Sequence, residues 1–211
     1  MSDTLTEHPP DLPEDGSELL EDEAQDESPV DLDPEVRARR EAALRQVRSF
    51  GDPVLRSAAL DVERFDESLR EEVARMGRLM SDSLGIGLAA TQLGVLNRVL
   101  VYRVQSEAPV LGLVNPTIDW SGSELEIMEE GCLSLPGVRL DVERPVHVRV
   151  RARDVDGEQM VIEASGLEAR VIQHEIDHLD GVLILDRVSR DERKQAMREI
   201  REAAERAEQA A

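Results

Sequence analysis

Apolar side chains recur at helical spacing in two parts of this chain. In residues 61–83 they lie three or four positions apart, on one face of a helix that should end near Gly85. These positions are Phe65, Leu69, Val73, Met76 and Met80. Residues 166–181 predict a second, largely buried helix that stops at Gly181. Its apolar positions are Leu167, Val171, Ile172, Ile176 and Leu179.

Short apolar runs between these two segments predict strands. Residues 95–104 and 111–118 are rich in β-branched side chains and are separated by polar residues. Residues 145–165 alternate between apolar and polar positions, and the Asp156-Gly157 pair in their middle predicts the turn of a hairpin. The apolar side of its first strand holds Val146, Val148, Val150 and Ala152. We therefore expect an α+β domain with mainly antiparallel sheet, followed by a charged amphipathic helix in residues 187–211.

Composition divides the chain into two parts. A length of 211 residues, 40% of them hydrophobic, is enough for one domain with a proper core. The net charge of −21 is concentrated in residues 1–36, which contain fourteen Asp or Glu and no Lys or Arg. Like charge, repeated proline and few large apolar residues predict that residues 1–35 form a disordered acidic tail. Residues 36–211 are then expected to form a single domain.

Charge and cysteine content exclude several classes of protein. The acidic balance argues against a surface that binds DNA or an anionic membrane, since both need clustered Lys and Arg. No stretch approaches eighteen uninterrupted apolar residues, and the amino terminus resembles neither a secretory signal nor a mitochondrial transit peptide. The single cysteine, Cys132, fits a reducing compartment. We expect a cytoplasmic protein.

The sequence HEIDHLDG at 174–181 holds two of the four histidines. Residues four apart share one face of a helix, so His174 and His178 can direct two imidazoles at one metal ion, with Glu175 beside it. The alternative is a buried helix with two hydrogen-bonded histidines. A catalytic site usually has a third protein ligand. His8 and His147 are poorly placed for that role.

Cys132 offers a thiolate, a strong ligand for zinc or iron(II), although a lone cysteine is also common as a small buried apolar residue. Gly131 before it and Pro136-Gly137 after it predict an irregular strand end. A further segment, GIGLAATQLG at 85–94, fails the dinucleotide fingerprint because alanine occupies the last glycine position. Its small residues allow close backbone approach, and Gln92 could direct an amide at a ligand. A plain glycine-rich connection with a surface glutamine is equally compatible.

Together the three segments resemble the peptide deformylase family. GIGLAATQ at 85–92 matches its G-x-G-x-A-A-x-Q motif, EGCLS at 130–134 matches its second motif, and HEIDHLDG matches H-E-x-D-H-L-x-G. The resemblance covers about residues 45–190 and includes Arg139 and Arg144. It does not cover the acidic tail, and the C-terminal helix is matched only in kind. It implies mainly antiparallel sheets packed around a central metal-binding HExxH helix, with a C-terminal helix.

The resemblance also implies roles for particular residues. Cys132, His174 and His178 would hold one divalent metal, leaving a position for water. Glu175 would take that water's proton and pass it to the leaving amine. The Gln92 amide and the Leu133 backbone N–H would stabilise the developing oxyanion.

Substrate and supporting residues follow from the same resemblance. The substrate would be the N-formylmethionine of a newly made polypeptide. Its backbone would be flanked by Ile86, Gly87, Gly131 and Arg139, while an apolar pocket accepts the methionine side chain. Arg144 is predicted to pair with Asp177 on the metal-binding helix and to support it.

Metal identity and larger partners are expected by analogy with the family. The ligand types suit zinc or iron, and we expect Fe2+ in the cell, with Zn2+ or Ni2+ in a purified sample. The bases crowded at the start of 187–211 form a solvated helix face or a ribosome-docking surface. We also expect a monomer.

Two other functions fit parts of the sequence. A zinc endopeptidase shares the HExxH motif, but the third metzincin histidine would fall at position 184, which is Ile. A downstream glutamate, Glu192 or Glu199, could replace that ligand, yet Cys132 and the other two motifs would then have no role. A non-catalytic, deformylase-like protein acting through its acidic tail is the second alternative. The intact Cys132, Glu175 and Gln92 argue against lost activity.

Overall fold

A computed structural model describes residues 32–209 of the chain. The acidic tail was predicted to be disordered over residues 1–35. Residues 1–31 of this tail lie outside the described part. The four α-helices are α1 Pro34–Leu44, α2 Glu67–Asp82, α3 Gly166–Leu179 and α4 Arg190–Gln209. Three short 3₁₀ helices are Pro53–Arg56, Ala90–Leu93 and Ile184–Asp186.

Among residues 32–209, seven strands form two separate antiparallel sheets. In chain order they are β1 Gly87–Ala89, β2 Val99–Tyr102, β3 Leu111–Ser121, β4 Leu125–Cys132, β5 Leu135–Pro145, β6 His147–Arg153 and β7 Gln159–Ser165. Five of them pair in the order β1-β2-β3-β6-β7, and β4 pairs with β5 alone. The expected combination of helices with mainly antiparallel sheet is therefore confirmed.

Side-chain capping sets where two helices begin. The Asp33 carboxylate accepts hydrogen bonds from the backbone N–H groups of Glu35 and Val36, and Pro34 occupies the first turn of α1. Asp66 accepts from the Leu69 N–H in the same way. Helix α2 therefore begins at Glu67, later than the apolar pattern from residue 61 suggested.

The β6–β7 hairpin follows the predicted alternation. Val148, Val150 and Ala152 are buried, whereas His147 and Arg151 face outward. This pattern gives the five-stranded sheet one apolar face, because successive side chains of a strand point to opposite faces.

Helix α3 packs against that apolar face and is buried along most of its length. Ile172 and Leu179 have no exposed surface and share a cluster with Leu100 and Val150. One residue of the predicted buried face differs: Leu167, in the first turn, is 46% exposed. Within the described residues, no helix is long and apolar enough to cross a membrane.

The β4–β5 hairpin was not predicted, beyond the strand end at Cys132. Most side chains of β4 are exposed, so this strand has no alternation of apolar and polar residues to reveal it. Pairing with β5 defines it instead, from Leu125 opposite Pro145 to Gly131 opposite Arg139. The hairpin also packs on α4, since Val138 and Val142 share a cluster with the buried Ala196.

Candidate metal centre

The end of β4 and the second half of α3 meet at a group of three ligating side chains. Cys132, His174 and His178 place their sulfur and nitrogen atoms within 4.8 Å of one another. The Cys132 Sγ lies 3.2 Å from the His178 Nε2. The two imidazole rings have centroids 4.9 Å apart and are nearly perpendicular. One cysteine sulfur and two imidazoles converge as ligands of a single ion would.

Local backbone geometry explains this convergence. The helix places His174 and His178 one turn apart on the same face. The pairing of β4 with β5 shifts register between Gly131 and Cys132, which redirects the strand end. His147, by contrast, lies on the exposed face of β6, with its Nε2 3.8 Å from a Glu124 oxygen. His8 is outside the described residues.

Glu130 holds the outer nitrogen of His174 and was not identified from the sequence. The His174 Nδ1 lies 3.0 Å from Glu130 Oε2. Because a carboxylate can only accept, Nδ1 carries a proton, which leaves Nε2 as the nitrogen that can bind a metal. Burial opposes charge on Glu130, but hydrogen bonds from His174 and Arg144 outweigh it and lower its pKa to about 2. The available signal was its position two residues before Cys132, since alternate residues of a strand share a face.

Glu175 lies buried beside the three ligands, with 4% of its surface exposed. Its Oε2 has no hydrogen-bond partner in the described part of the chain. Burial raises the pKa of this carboxyl group to about 7. The other oxygen, Oε1, would lie 2.3 Å from a Cβ built on Gly87. Strand β1 thus packs so closely on Glu175 that residue 87 must lack a side chain.

Gln92 directs its amide toward the same centre from the 3₁₀ helix after β1. Its Oε1 accepts a hydrogen bond from the Ala89 N–H at 3.0 Å, which fixes the amide orientation. The Nε2 therefore faces the buried Ser134 Oγ at 3.2 Å and the Cys132 Sγ at 3.8 Å. Leu133, the next residue after Cys132, would contact a Cβ on Gly85 at 3.2 Å. The three sequence segments are therefore adjacent in space.

The remaining predicted residues lie in or next to the elements described above. Ile86 is 43% exposed, and Arg139 pairs in register with Gly131. The Arg144 Nη1 donates to Asp177 Oδ2 at 2.9 Å, so the structure contains the predicted ion pair. Arg144 also binds both oxygens of Glu130, at 2.6 and 2.9 Å. Its guanidinium thereby joins the hairpin to α3 beneath the ligands.

The electrostatics of the centre suit a cation. Burial opposes charge on His174, yet hydrogen bonds to Cys132 and Glu130 prevail and raise its pKa to about 10. The surroundings thus stabilise one positive charge at this position. Burial lowers the pKa of His178 well below its ordinary value, which keeps this ring neutral, as a ligand must be. The donor set and its surroundings therefore fit a divalent zinc or iron ion.

Comparison with known proteins gives a consistent family. The model of the polypeptide deformylase family matches residues 44–194. A peptide deformylase of Acidothermus cellulolyticus is 48% identical over 162 residues, covering 76% of this chain and 88% of that protein. Peptide deformylase 1 of Corynebacterium glutamicum is 46% identical over 164 residues, covering 77% and 97%.

Solved structures agree with these relatives. A peptide deformylase from Synechococcus elongatus, crystallised in complex with actinonin, superimposes with a TM-score of 0.70 at 44% identity. The alignment covers 72% of this chain and 85% of that one. The enzyme from Legionella pneumophila gives a TM-score of 0.71 at 38% identity, with coverage of 75% and 94%.

Proposed function

Because this chain belongs to the peptide deformylase family, we propose that its cluster of Cys132, His174 and His178 is the catalytic centre of that activity. The chain is a hydrolase that removes the N-terminal formyl group from newly made polypeptides. The observation that carries the assignment is the convergence of the three ligands beside the unpartnered Glu175 oxygen. In this arrangement the two sheets pack around α3 as the metal-binding HExxH helix.

Cys132, His174 and His178 would hold one divalent ion. Such an ion acts as a Lewis acid and lowers the pKa of a coordinated water toward neutrality. Glu130 and Arg144 keep the His174 ring in the orientation that presents Nε2. We propose Fe2+ in the cell and Zn2+ or Ni2+ in a purified sample, because a thiolate with two imidazoles accepts all three.

Glu175 is the proposed general base and acid. Its free Oε2 can accept the proton of the attacking water, and the same group can then protonate the departing amine. A carboxyl pKa close to 7, set by burial, suits a group that must both accept and release a proton at neutral pH. The products are formate and a free amino terminus.

Gln92 and Leu133 are the proposed oxyanion donors. As the formyl carbon becomes tetrahedral, its oxygen gains negative charge, which the Gln92 Nε2 and the Leu133 N–H would stabilise. Because Ala89 already occupies the Oε1 of Gln92, the amide is oriented before substrate arrives. Losing one such donor typically weakens transition-state binding by about 3 kcal/mol.

The substrate backbone would lie between two strand edges. In the described part of the chain, β1 is one of the two outer strands of the five-stranded sheet, and β4 pairs only with β5. Both therefore present backbone groups to which an extended peptide can add. Ile86 and Gly87 would flank it on one side, and Gly131 and Arg139 on the other. The formylated residue would be methionine, with its side chain in an apolar pocket.

Formate release from a formyl-Met peptide, with and without a chelator, tests this function. We expect release that the chelator abolishes and that added Fe2+ or Zn2+ restores. Cleavage of internal peptide bonds instead would favour a zinc endopeptidase. No turnover of either substrate by metal-loaded protein would favour the non-catalytic alternative. The endopeptidase ligands are poorly supported, because Glu192 caps the Ser189 N–H and Glu199 accepts from Gln195 on α4.

A second proposal concerns the environment of the enzyme. We propose a cytoplasmic monomer that meets nascent chains at the ribosome through exposed bases of α4, such as Lys194 and Arg198. Truncation after Asp186 would uncover the apolar cluster around Ala196, so charge substitution is the cleaner test.

Replacement of Lys194 and Arg198 by glutamate should reduce salt-sensitive co-sedimentation with ribosomes. The control is Arg64→Glu, because the Arg64 side chain is 87% exposed on another part of the surface. Equal co-sedimentation of the three proteins would refute the ribosome proposal while leaving the hydrolase unaffected.

A further inference from the structure

Arg170 is a buried charge that the mechanism above does not use. It lies on α3 one turn before His174 and is 5% exposed. Its Nη1 donates to Glu130 Oε1 and to the Val142 carbonyl, both at 2.8 Å. Its Nη2 donates to the Glu126 carbonyl at 2.8 Å. One guanidinium on the helix therefore binds both strands of the β4–β5 hairpin.

These contacts connect the two elements that carry the ligands. The hairpin supplies Cys132, and α3 supplies both histidines. Arg170 is thus placed to fix how far the thiolate stands from the imidazoles. It also shares the Glu130 carboxylate with Arg144 and His174.

The Glu130 carboxylate has donors on both oxygens. Oε1 accepts from the Arg144 Nε and the Arg170 Nη1, while Oε2 accepts from the Arg144 Nη2 and the His174 Nδ1. Removing Arg170 would leave Oε1 with one of its two donors and free the carboxylate to tilt. Such a tilt of the Glu130 carboxylate would move Oε2 away from the His174 Nδ1, and the carboxylate would then no longer orient the His174 ring.

We propose that Arg170 is a positioning residue of the metal centre, acting through Glu130 to hold His174 in its ligating orientation. The inference rests on the proposed function, which supplies the metal. It goes beyond the proposed function because it assigns a role to a residue that is neither a proposed metal ligand nor a proposed substrate contact.

Stability alone does not account for Arg170. A buried ion pair often stabilises a protein no better than well-packed apolar residues of similar volume, because both charges lose their hydration. An apolar residue at position 170 could therefore fill the same space between α3 and the hairpin. It could supply neither the donors to the Val142 and Glu126 carbonyls nor the donor to Glu130, and only the last of these reaches a metal ligand, through His174.

A double-mutant cycle with a metal-binding readout tests this role. Zn2+ affinity is measured by chelator competition in the unaltered protein, Arg170→Met, Glu130→Gln and the double variant. We expect Arg170→Met to weaken Zn2+ binding by about tenfold, the lower end of effects for groups that support ligands. In the Glu130→Gln background the same change should alter affinity by less than about twofold, because the route to His174 is already broken.

Absorption spectra of the Co2+-substituted proteins give a second readout. Arg170→Met should shift the d–d bands of the bound Co2+, because these bands respond to ligand geometry. The spectra of Glu130→Gln and of the double variant should show no such difference from each other. An equal tenfold loss in both backgrounds would show that Arg170 acts independently of Glu130, and would overturn the inference.

Arg98 provides the matched control. Its side chain is 14% exposed, and it donates to the Pro116 carbonyl at 3.1 Å and to Asp180 at 2.6 Å, without contact to Glu130. Arg98→Met should lower the melting temperature while changing Zn2+ affinity less than twofold. If Arg170→Met behaves in the same way, its role is structural and the inference is wrong.

Two further outcomes are decisive. If Arg170→Met does not fold, Arg170→Gln replaces it in the same cycle, because glutamine is neutral yet keeps one donor for a strand carbonyl. If the unaltered protein binds neither Zn2+ nor Co2+, the proposed metal centre fails, and this inference with it. Normal binding by the unaltered protein with no effect of position 170 overturns this inference alone.

Discussion

Helices α3 and α4 carry the same kinds of charged residue and use them in opposite ways. On α3, Arg170, Glu175 and Asp177 are each no more than 6% exposed. On α4, the charged residues of the first turns, such as Glu192 and Lys194, face solvent. Both helices contain acidic and basic residues, so the presence of charge alone does not distinguish them. Their difference lies in what each side chain contacts.

Two glutamates make the contrast concrete. Burial raises the pKa of Glu175 to about 7. Hydrogen bonds with Ser189 lower the pKa of the exposed Glu192 instead. The first carboxyl can exchange a proton at neutral pH, whereas the second remains an anion that caps a helix. Surroundings, not residue type, decide which glutamate can do acid–base chemistry.

The largest expected effect comes from Cys132→Ala. This change tests whether the two histidines of α3 need the cysteine of the β4–β5 hairpin to hold a metal. Without the thiolate, the two histidines should hold metal far more weakly, and turnover of formyl-Met peptide should disappear with it. Metal content by elemental analysis and formate release measure the two effects. Retention of both would mean that a third ligand comes from elsewhere, with Glu192 and Glu199 on α4 next to be replaced. The contrast between the helices would then be wrong.

Glu175→Gln should separate metal binding from chemistry. The three ligands stay in place, so about one ion per chain should remain, while turnover falls roughly 10²- to 10⁴-fold because no group accepts the proton. Glu192→Gln on α4 is the matched control and should leave turnover unchanged. Loss of the metal in Glu175→Gln would show that this residue is a ligand and not a base.

Arg144→Met should produce an intermediate loss. It removes one of the two arginines that donate to Asp177, the other being Arg187, and two of the hydrogen bonds to Glu130. We therefore expect metal affinity or turnover to fall about 10- to 100-fold. Chelator competition and steady-state kinetics measure the change. A loss as large as that of Cys132→Ala would place Arg144 among the groups that act on substrate directly.

The smallest effect should come from charge reversal on α4. Lys194→Glu and Arg198→Glu alter exposed side chains, and surface changes of this kind usually shift stability by less than about 0.5 kcal/mol. Melting temperature and turnover of a short peptide should therefore stay near those of the unaltered chain. A large loss of turnover on the short peptide would contradict the description of α4 as a surface helix.

Sequence patterns predicted the parts of the fold in which burial follows a simple period. The alternation in β6 and the helical spacing in α3 both arise because one side of the element faces the core. The β4–β5 hairpin escaped prediction because most of its first strand, up to Glu129, is exposed and is held by backbone pairing. Pairing between strands depends on partners distant in sequence, which no local pattern contains.

The residues of the site also fall into two groups, those that the sequence predicted and those that it did not. Cys132, His174, Glu175 and His178 stand out because metal ligation and acid–base chemistry need those residue types. Glu130 is an ordinary acid among 46 in the sequence, and Arg170 an ordinary base among 25. Apart from the position of Glu130 two residues before Cys132, what sets these two residues apart is their contacts across the hairpin and α3, which form only when the two elements fold together.

The contact between Gly87 and Glu175 has a consequence for how the enzyme can change under selection. An inhibitor that lies along the β1 backbone would contact residue 87, and an added side chain there is the simplest way to block it. Any Cβ at this position would meet Glu175 Oε1 at 2.3 Å and the Cγ and Cδ atoms at 2.9 Å. Glu175, the proposed general base, would have to leave its place. Resistant variants raised by serial passage should therefore carry changes elsewhere, because a substitution at position 87 would inactivate the enzyme that it protects.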